Sequence, residues 1–310
     1  MYYVIASGKK KSKIGETAIE TLIKKLQERG VQYKLMVSEY AGHSVLLAKE
    51  ASEATDCTAI IVMGGDGTFY EVLNGMDTKK IPIGFIPAGT GNDFARTLGL
   101  TIDIDQCLDN IIGQEPTYLD YMIVNDKLKA FNVVGSGFDI LLLEKEIEMR
   151  KKYSDKRSYN AALMNTIFKC KFEKIKFKID DGEEHTQDMF MFDCTNGIWG
   201  GGMLPLSLKS DPHDGIMEFS VIRKFNKLRL LPLLLKFQKG DLYKTDLVKY
   251  YPCHKVEIDM EPRLRVNLDG EISDLFPITV ELVHNELKYF KSKIPPVDPK
   301  EILKHKKKYN

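Results

Sequence analysis

Ala59 to Met63 are five apolar residues in a row, and they run directly into Gly64-Gly65-Asp66-Gly67-Thr68 and a helical pattern, Phe69-Tyr70-Glu71-Val72-Leu73. An apolar run without alternation suits a strand covered on both faces, which implies a parallel sheet with helices on each side. The surrounding chain has the same punctuation. Tyr2 to Ser7, Tyr33 to Val37 and Ile83 to Ile86 read as further strands, and Ile14, Ala18, Leu22 and Leu26 form an apolar helical stripe between the first two. The expectation is an α/β domain over residues 1–121.

After about residue 121 the texture changes to alternating strands joined by Asn-Asp, Asp-Gly and Asn-Gly turns, as in Lys174 to Ile179 followed by Asp180-Asp181-Gly182. Helical patterns intervene near 139 to 151, 158 to 169 and 226 to 238. A second, β-rich domain is expected over 122–292. The basic tail, 293–310, either packs back on a domain or frays.

Composition narrows the class. With 43% hydrophobic and 10% aromatic residues the chain can build a core and is not disordered. Its 45 Lys plus Arg against 44 Asp plus Glu leave no overall field for nucleic acid, so no nucleic-acid partner is expected. Charge is locally uneven: Lys9, Lys10, Lys11 and Lys13 near the start and Lys304, Lys306, Lys307 and Lys308 near the end are clusters that suit an anionic bilayer. Five scattered Cys, none in a Cys-x-x-Cys pair, argue against a disulfide framework or zinc site. No signal peptide or run of about 18 apolar residues is present. The expected location is cytoplasmic with peripheral membrane contact, and a homodimer is allowed.

The chemistry is concentrated where strands end. In Gly64 to Thr68 the glycines let backbone N–H groups approach an anion, and a helix N-terminus adds a favourable dipole. A carboxylate at Asp66 repels phosphate directly, so it makes sense with Mg²⁺ between them. The plainer alternative is a strand-to-helix turn with Thr68 as N-cap. A second loop, Pro87-Ala88-Gly89-Thr90-Gly91-Asn92-Asp93, also follows a strand and opens a helix. Gly89, Thr90 and Gly91 offer donors to phosphates, Asn92 or Asp93 can cap the helix, and Asp93 can join Asp66 around the metal.

Gly-Gly-Asp-Gly-Thr at 64 to 68 together with Pro-Ala-Gly-Thr-Gly-Asn-Asp-Phe-Ala-Arg at 87 to 96 resembles the diacylglycerol kinase catalytic domain. Asn132 to Asp139, Asn196 to Gly202, Asp211 to Gly215 and Asp269-Gly270-Glu271 resemble second-domain landmarks of that family, in order. The resemblance implies an α/β nucleotide-binding domain beside a β-sandwich-like domain. It also implies ATP- and Mg²⁺-dependent phosphorylation of a lipid hydroxyl, diacylglycerol giving phosphatidic acid. It makes Asp269 the catalytic base, although Asp181-Gly182-Glu183 carries the same tripeptide. It places Ser7, Gly64, Gly65, Gly67, Thr68, Gly89, Thr90, Asn92 and Glu271 around the nucleotide. A second Mg²⁺ is implied at the Asp214 carboxylate and the backbone carbonyls of Asp211 and Ile216, where a polar turn is the alternative.

The chain departs from the family's opening Asn-Pro-x-Ser-Gly: it reads Ile5-Ala6-Ser7-Gly8-Lys9. Asp155-Lys156-Arg157-Ser158-Tyr159 approximates another family segment, with Lys156 as a candidate functional residue. Phe131, Val134, Phe138, Ile140, Leu141 and Leu142 are candidate lipid-lining residues or plain core. Trp199 lies in a glycine-rich stretch that reads as a lip of the cleft or a packed turn. Two other functions fit the first loop: an NAD kinase-like enzyme and a non-catalytic nucleotide- or lipid-binding module.

Overall fold

The computed structural model describes residues 1–8, 13–152, 171–226, 229–261 and 264–305. Lys156, the 158 to 169 helix and most of the two lysine clusters lie outside them, as do the side chains of Ile14 and Leu142.

The first part of the chain alternates β1 (Tyr2–Ser7), α1 (Lys13–Glu28), β2 (Tyr33–Ser38), α2 (His43–Glu53), β3 (Ala59–Gly64), α3 (Asp66–Gly75), β4 (Ile83–Pro87), α4 (Asp93–Thr97) and α5 (Ile104–Ile111). The four strands are parallel in the order β2-β1-β3-β4. Their side chains divide between two cores. Tyr3, Ile5, Ile60 and Val62 face α2 and α3, while Val4, Ala6, Ile61 and Met63 face Leu22 and Leu26 of α1 and Leu108 and Ile111 of α5. All six residues of β3 are buried. Each fully buried aliphatic side chain contributes about 1.5–3 kcal/mol, which is why an unbroken apolar run takes the middle of a covered sheet.

The sheet continues into the second part through β5 (Thr117–Val124), β6 (Leu128–Ala130), β7 (Val133–Gly137), α6 (Phe138–Lys152), β8 (Glu173–Ile179), β9 (Glu184–Thr195) and two short strands, β10 (Trp199–Gly200) and β11 (Leu204–Pro205). There follow β12 (Met217–Arg223), α7 (Leu230–Gln238), β13 (Val248–Cys253), β14 (Lys255–Glu261), β15 (Val266–Leu268), β16 (Glu271–Ser273), β17 (Ile278–Tyr289) and α8 (Pro299–Lys304). The strands of this part are antiparallel and curl around one core that includes Val134, Phe177, Phe192, Phe219, Val256 and Val280, a sandwich-like arrangement.

β17 joins the two halves. It pairs with β14 and β5 along its length, and its last residue, Tyr289, pairs in parallel with Ile83 of β4. The cores separate within β5: Leu119 and Tyr121 belong to the first, Met122 and Val124 to the second. After β17 the chain crosses the first half, with Phe290 in its core and the Lys293 N–H on Asn110 Oδ1. α8 then lays Ile302 against Trp199 and Met203. Trp199 is therefore a packed residue, 1% exposed. The candidate lipid-lining residues divide among three cores: Phe131 is in the first, Val134 in the second and Phe138 in a third with Phe190 and Leu233.

Candidate active site

The carboxyl ends of β1, β3 and β4 lie side by side, since Ala6 pairs with Met63 and Gly64 with Pro87. Open α/β sheets bind ligands at this edge. Ser7 ends β1 there, and the loops that leave β3 and β4 touch. The Ala88 N–H donates to the Gly64 carbonyl at 2.7 Å, and a Cβ added to Gly89 would stand 2.4 Å from Gly65 Cα. Backbone packs on backbone here, so neither loop can carry a side chain at the crossing.

Asn92 ties the second loop to itself. Its backbone is left-handed at φ 50°, its Oδ1 accepts the Gly89 N–H at 2.9 Å and its Nδ2 donates to the Gly89 carbonyl at 3.0 Å. It therefore does not cap α4 with its side chain, as the spacing suggests. The cap comes from the other loop: Asp66 accepts the N–H groups of Asp93 at 3.1 Å and Phe94 at 3.2 Å, the first two residues of α4. Thr68 is likewise no N-cap. Gly65 holds that position for α3 without a side-chain bond, and the Thr68 hydroxyl lies 2.5 Å from where a Gly64 Cβ would be.

Asp93 is a brace between the halves. Its Oδ1 accepts from Arg96 at 2.9 Å and the Met203 N–H at 2.8 Å, and its Oδ2 from the Gly202 N–H at 2.8 Å. Both oxygens have protein donors. Burial, then the neighbouring Asp93 charge, raises the Asp66 carboxyl above the usual range.

Asp269 faces these loops from the second half. It sits at φ 52° in the turn between β15 and β16, and Gly270 follows at φ 98°. Its Oδ2 accepts the Phe131 N–H at 2.7 Å, and its Oδ1 accepts those of Asn132 at 3.0 Å and Val133 at 2.8 Å. Burial outweighs these three donors and the nearby Asp66 charge adds to it, so the carboxyl is raised to about 7. Oδ2 keeps one acceptor position beyond the Phe131 N–H. Glu271 joins the group, its Oε1 4.0 Å from where a Gly67 Cβ would stand. The other Asp-Gly-Glu, at Asp181, is an exposed hairpin turn joining β8 to β9. Thr90 is exposed at the tip of the second loop.

Among the described residues no group of three or more His, Cys, Asp or Glu is arranged to hold a metal ion. Asp66, a carboxylate beside Asp93 where the glycine loops meet, is of the chemistry that Mg²⁺ takes, since this ion accepts one or two carboxylates together with phosphates and waters. The 211–216 segment is a turn pinned to β5 and β17. The Asp211 carbonyl accepts the Asp214 N–H, Asp214 Oδ1 accepts the Ile216 N–H, and His213 bridges Asp211 and the Tyr289 hydroxyl. Asp120 beneath it accepts from the Gly215 N–H and pairs with His284.

Several residues in or beside the landmark stretches 132–139 and 196–202 have roles that the sequence reading does not assign. Asn132 and Asn196 hold the strand that positions Asp269: Asn196 Nδ2 donates to the Phe131 and Asp120 carbonyls, and Asn132 Nδ2 to that of Trp199. Asp193, buried, and Asp139, half-buried, flank Gly135, and desolvation raises both carboxyls. A repeated motif position is the only trace a sequence could show of such tertiary bonds.

Residues 2–124 match the diacylglycerol kinase catalytic domain, and residues 132–291 match the YegS C-terminal NAD kinase β-sandwich-like domain. The chain is similar to a Staphylococcus aureus (strain NCTC 8325 / PS 47) protein provisionally named a lipid kinase, with 28% identity over 285 residues that cover 88% of this chain and 90% of that one. Its fold resembles that of a diacylglycerol kinase from Bacillus anthracis str. Sterne, with TM-score 0.75 and 22% identity over 94% of this chain and 97% of that one. The fold is also shared, more distantly, with an NAD kinase from Archaeoglobus fulgidus solved in complex with ATP, with TM-score 0.52 and 14% identity over 94% of each chain. With both domains matched in order on one chain, the protein belongs to the diacylglycerol kinase-like lipid kinase family, phosphotransferases with an alcohol acceptor.

Proposed function

We propose that the protein transfers the γ-phosphoryl group of ATP to a lipid hydroxyl, with diacylglycerol the acceptor and phosphatidic acid the product. The observation that carries this reading is the Asp269 carboxylate, held by three backbone N–H groups of the second half and close enough to Asp66 of the first to feel its charge.

The crossed glycine loops present backbone donors to a triphosphate, with Ser7, Thr68, Thr90 and Glu271 at its rim. When bound, Mg²⁺ neutralises phosphate charge, and Asp66 is the carboxylate that would hold it. The acceptor oxygen attacks the γ-phosphorus, the bond to ADP breaks, and the hydroxyl proton passes to the vacant position on Asp269 Oδ2. Phosphoryl transfer asks chiefly for positioning, and a carboxyl raised to about 7 is a far better base at neutral pH than one near 4. Basic segments at both ends would bring the enzyme to an anionic bilayer, where such an acceptor resides.

Radiolabelled ATP offered with diacylglycerol, phosphatidylglycerol, a sphingoid base and NAD tests the reading. Label in diacylglycerol, lost on chelating Mg²⁺, is expected. Label only in NAD overturns it in favour of the NAD kinase-like activity that the shared fold allows.

A further inference from the structure

Tyr70 lies on the face of α3 turned towards the carboxylates. It is one turn beyond Gly67 and one turn before Asn74, so the three share a side of the helix. Both neighbours on that face are anchored to the second half of the molecule. Glu271 Oε1 is 4.0 Å from the position of a Gly67 Cβ. Asn74 exchanges two bonds with the backbone of Lys129, each 2.8 Å. Two residues beyond Lys129, the Phe131 N–H holds Asp269. Tyr70 is thus bracketed by the turn that carries Asp269 and Glu271 and by the segment whose Phe131 N–H holds Asp269.

Its ring is packed against both major cores, at the seam of the two halves. The residue is half-buried, and among the described residues its hydroxyl makes no hydrogen bond. A phenol fixed by its ring in both cores, with a hydroxyl that keeps solvent access and lies within the electrostatic reach of Asp269 and Glu271, is free to bond a ligand.

We propose that Tyr70 is a further catalytic residue of the transfer reaction, donating a hydrogen bond from Oη to the acceptor's attacking oxygen so that this hydroxyl is aimed at Asp269 Oδ2. The inference rests on the lipid-kinase reading given above. Three of the four lone-pair positions of Asp269 are filled by backbone donors, so the carboxylate alone fixes one end of the O–H bond and leaves the oxygen free to swing. A second donor on the first half removes that freedom without competing for the proton. Burial, then the charges of Asp269 and Glu271, push the phenol up to about 12, so it remains a neutral donor wherever Asp269 is ionised.

Tyr70→Phe removes the hydroxyl and keeps the ring in both cores. Turnover with the best lipid acceptor is expected to fall about tenfold, the size of one hydrogen bond made in the transition state. The affinity for an ATP analogue and Tm are expected to stay at the wild-type values. A variant that turns over at the wild-type rate overturns the role of Tyr70 while leaving the lipid-kinase reading intact. Parallel losses in Tm and nucleotide affinity also overturn it, because they mark a packing residue. Wild-type protein that labels no lipid in the same assay overturns the underlying reading, and the role of Tyr70 falls with it.

Discussion

The two loops cross where Gly65 and Gly89 pack backbone on backbone, and alanine substitution should measure how much the site depends on that crossing. A Cβ at Gly89 would stand 2.4 Å from Gly65 Cα and 2.8 Å from Asn92 Oδ1. Non-bonded carbons settle at about 3.5–4.0 Å, so the Gly89→Ala methyl is about 1 Å too deep, against backbone that no rotamer change can move aside. A Cβ at Gly65 would stand 3.0 Å from Gly89 Cα, a deficit of about 0.5 Å. Overpacking of this kind costs about 1–3 kcal/mol. Displacing a positioned group by about 1 Å can lower turnover about a hundredfold. Gly89→Ala is therefore expected to lower kcat/KM about a hundredfold, with weaker binding of an ATP analogue by calorimetry and a Tm several degrees lower. Gly65→Ala should show the same defects at smaller size. Gly67→Ala meets nothing nearer than Glu271 Oε1 at 4.0 Å and lies inside a helix, so it should melt no lower than wild type. Wild-type activity in Gly89→Ala, or a larger defect in Gly65→Ala than in Gly89→Ala, would refute the crossing of the loops as described.

Because the Asp269 carboxyl is raised to about 7 by burial, it is protonated and unable to accept the acceptor's proton at lower pH. The rate of transfer should rise about tenfold per pH unit up to about 7 and then level off. Asp269→Ala should abolish turnover, and a flat wild-type profile from pH 5.5 to 8 would rule out Asp269 as the base. Asp66→Ala leaves the Asp93 and Phe94 N–H groups without their acceptor. It should cost about 1–3 kcal/mol in urea denaturation as well as Mg²⁺-dependent activity, whereas Asp66→Asn, which keeps one acceptor oxygen, should cost less. Ile302→Ala should destabilise the protein by about 2–4 kcal/mol. Trp199, the sole tryptophan, packs against Ile302, so its fluorescence should shift to the red, and unchanged emission would place α8 elsewhere.

The α/β half was legible because its signals are local. An unbroken apolar strand, a glycine turn and an amphipathic helix each announce themselves within about ten residues, and β3, α3 and α1 stand where those patterns put them. The same locality misled at the helix starts. Thr68 and Asn92 have the right residue type and spacing for caps, yet Thr68 packs against Gly64, Asn92 bonds Gly89, and α4 is capped by Asp66, 27 residues away. Residues 153–170, which include the expected 158 to 169 helix and Lys156, lie outside the described structure.

Sequence by itself determined that two glycine loops leave neighbouring strand ends, since main-chain freedom and apolar periodicity belong to the residues that show them. Spacing alone leaves Asp269 and Asp181 alike, and the tertiary structure sets their surroundings apart. Both occupy an Asp-Gly-Glu turn with the same local chemistry; one is half-buried beneath the N–H groups of Phe131, Asn132 and Val133, and the other is exposed to water. The difference is the electrostatic setting, made by strands more than 130 positions away, and no short stretch of chain encodes it. Tyr70 is the same case: its place between two cores exists only once β6 has docked on α3 and the turn after β15 has come to face it.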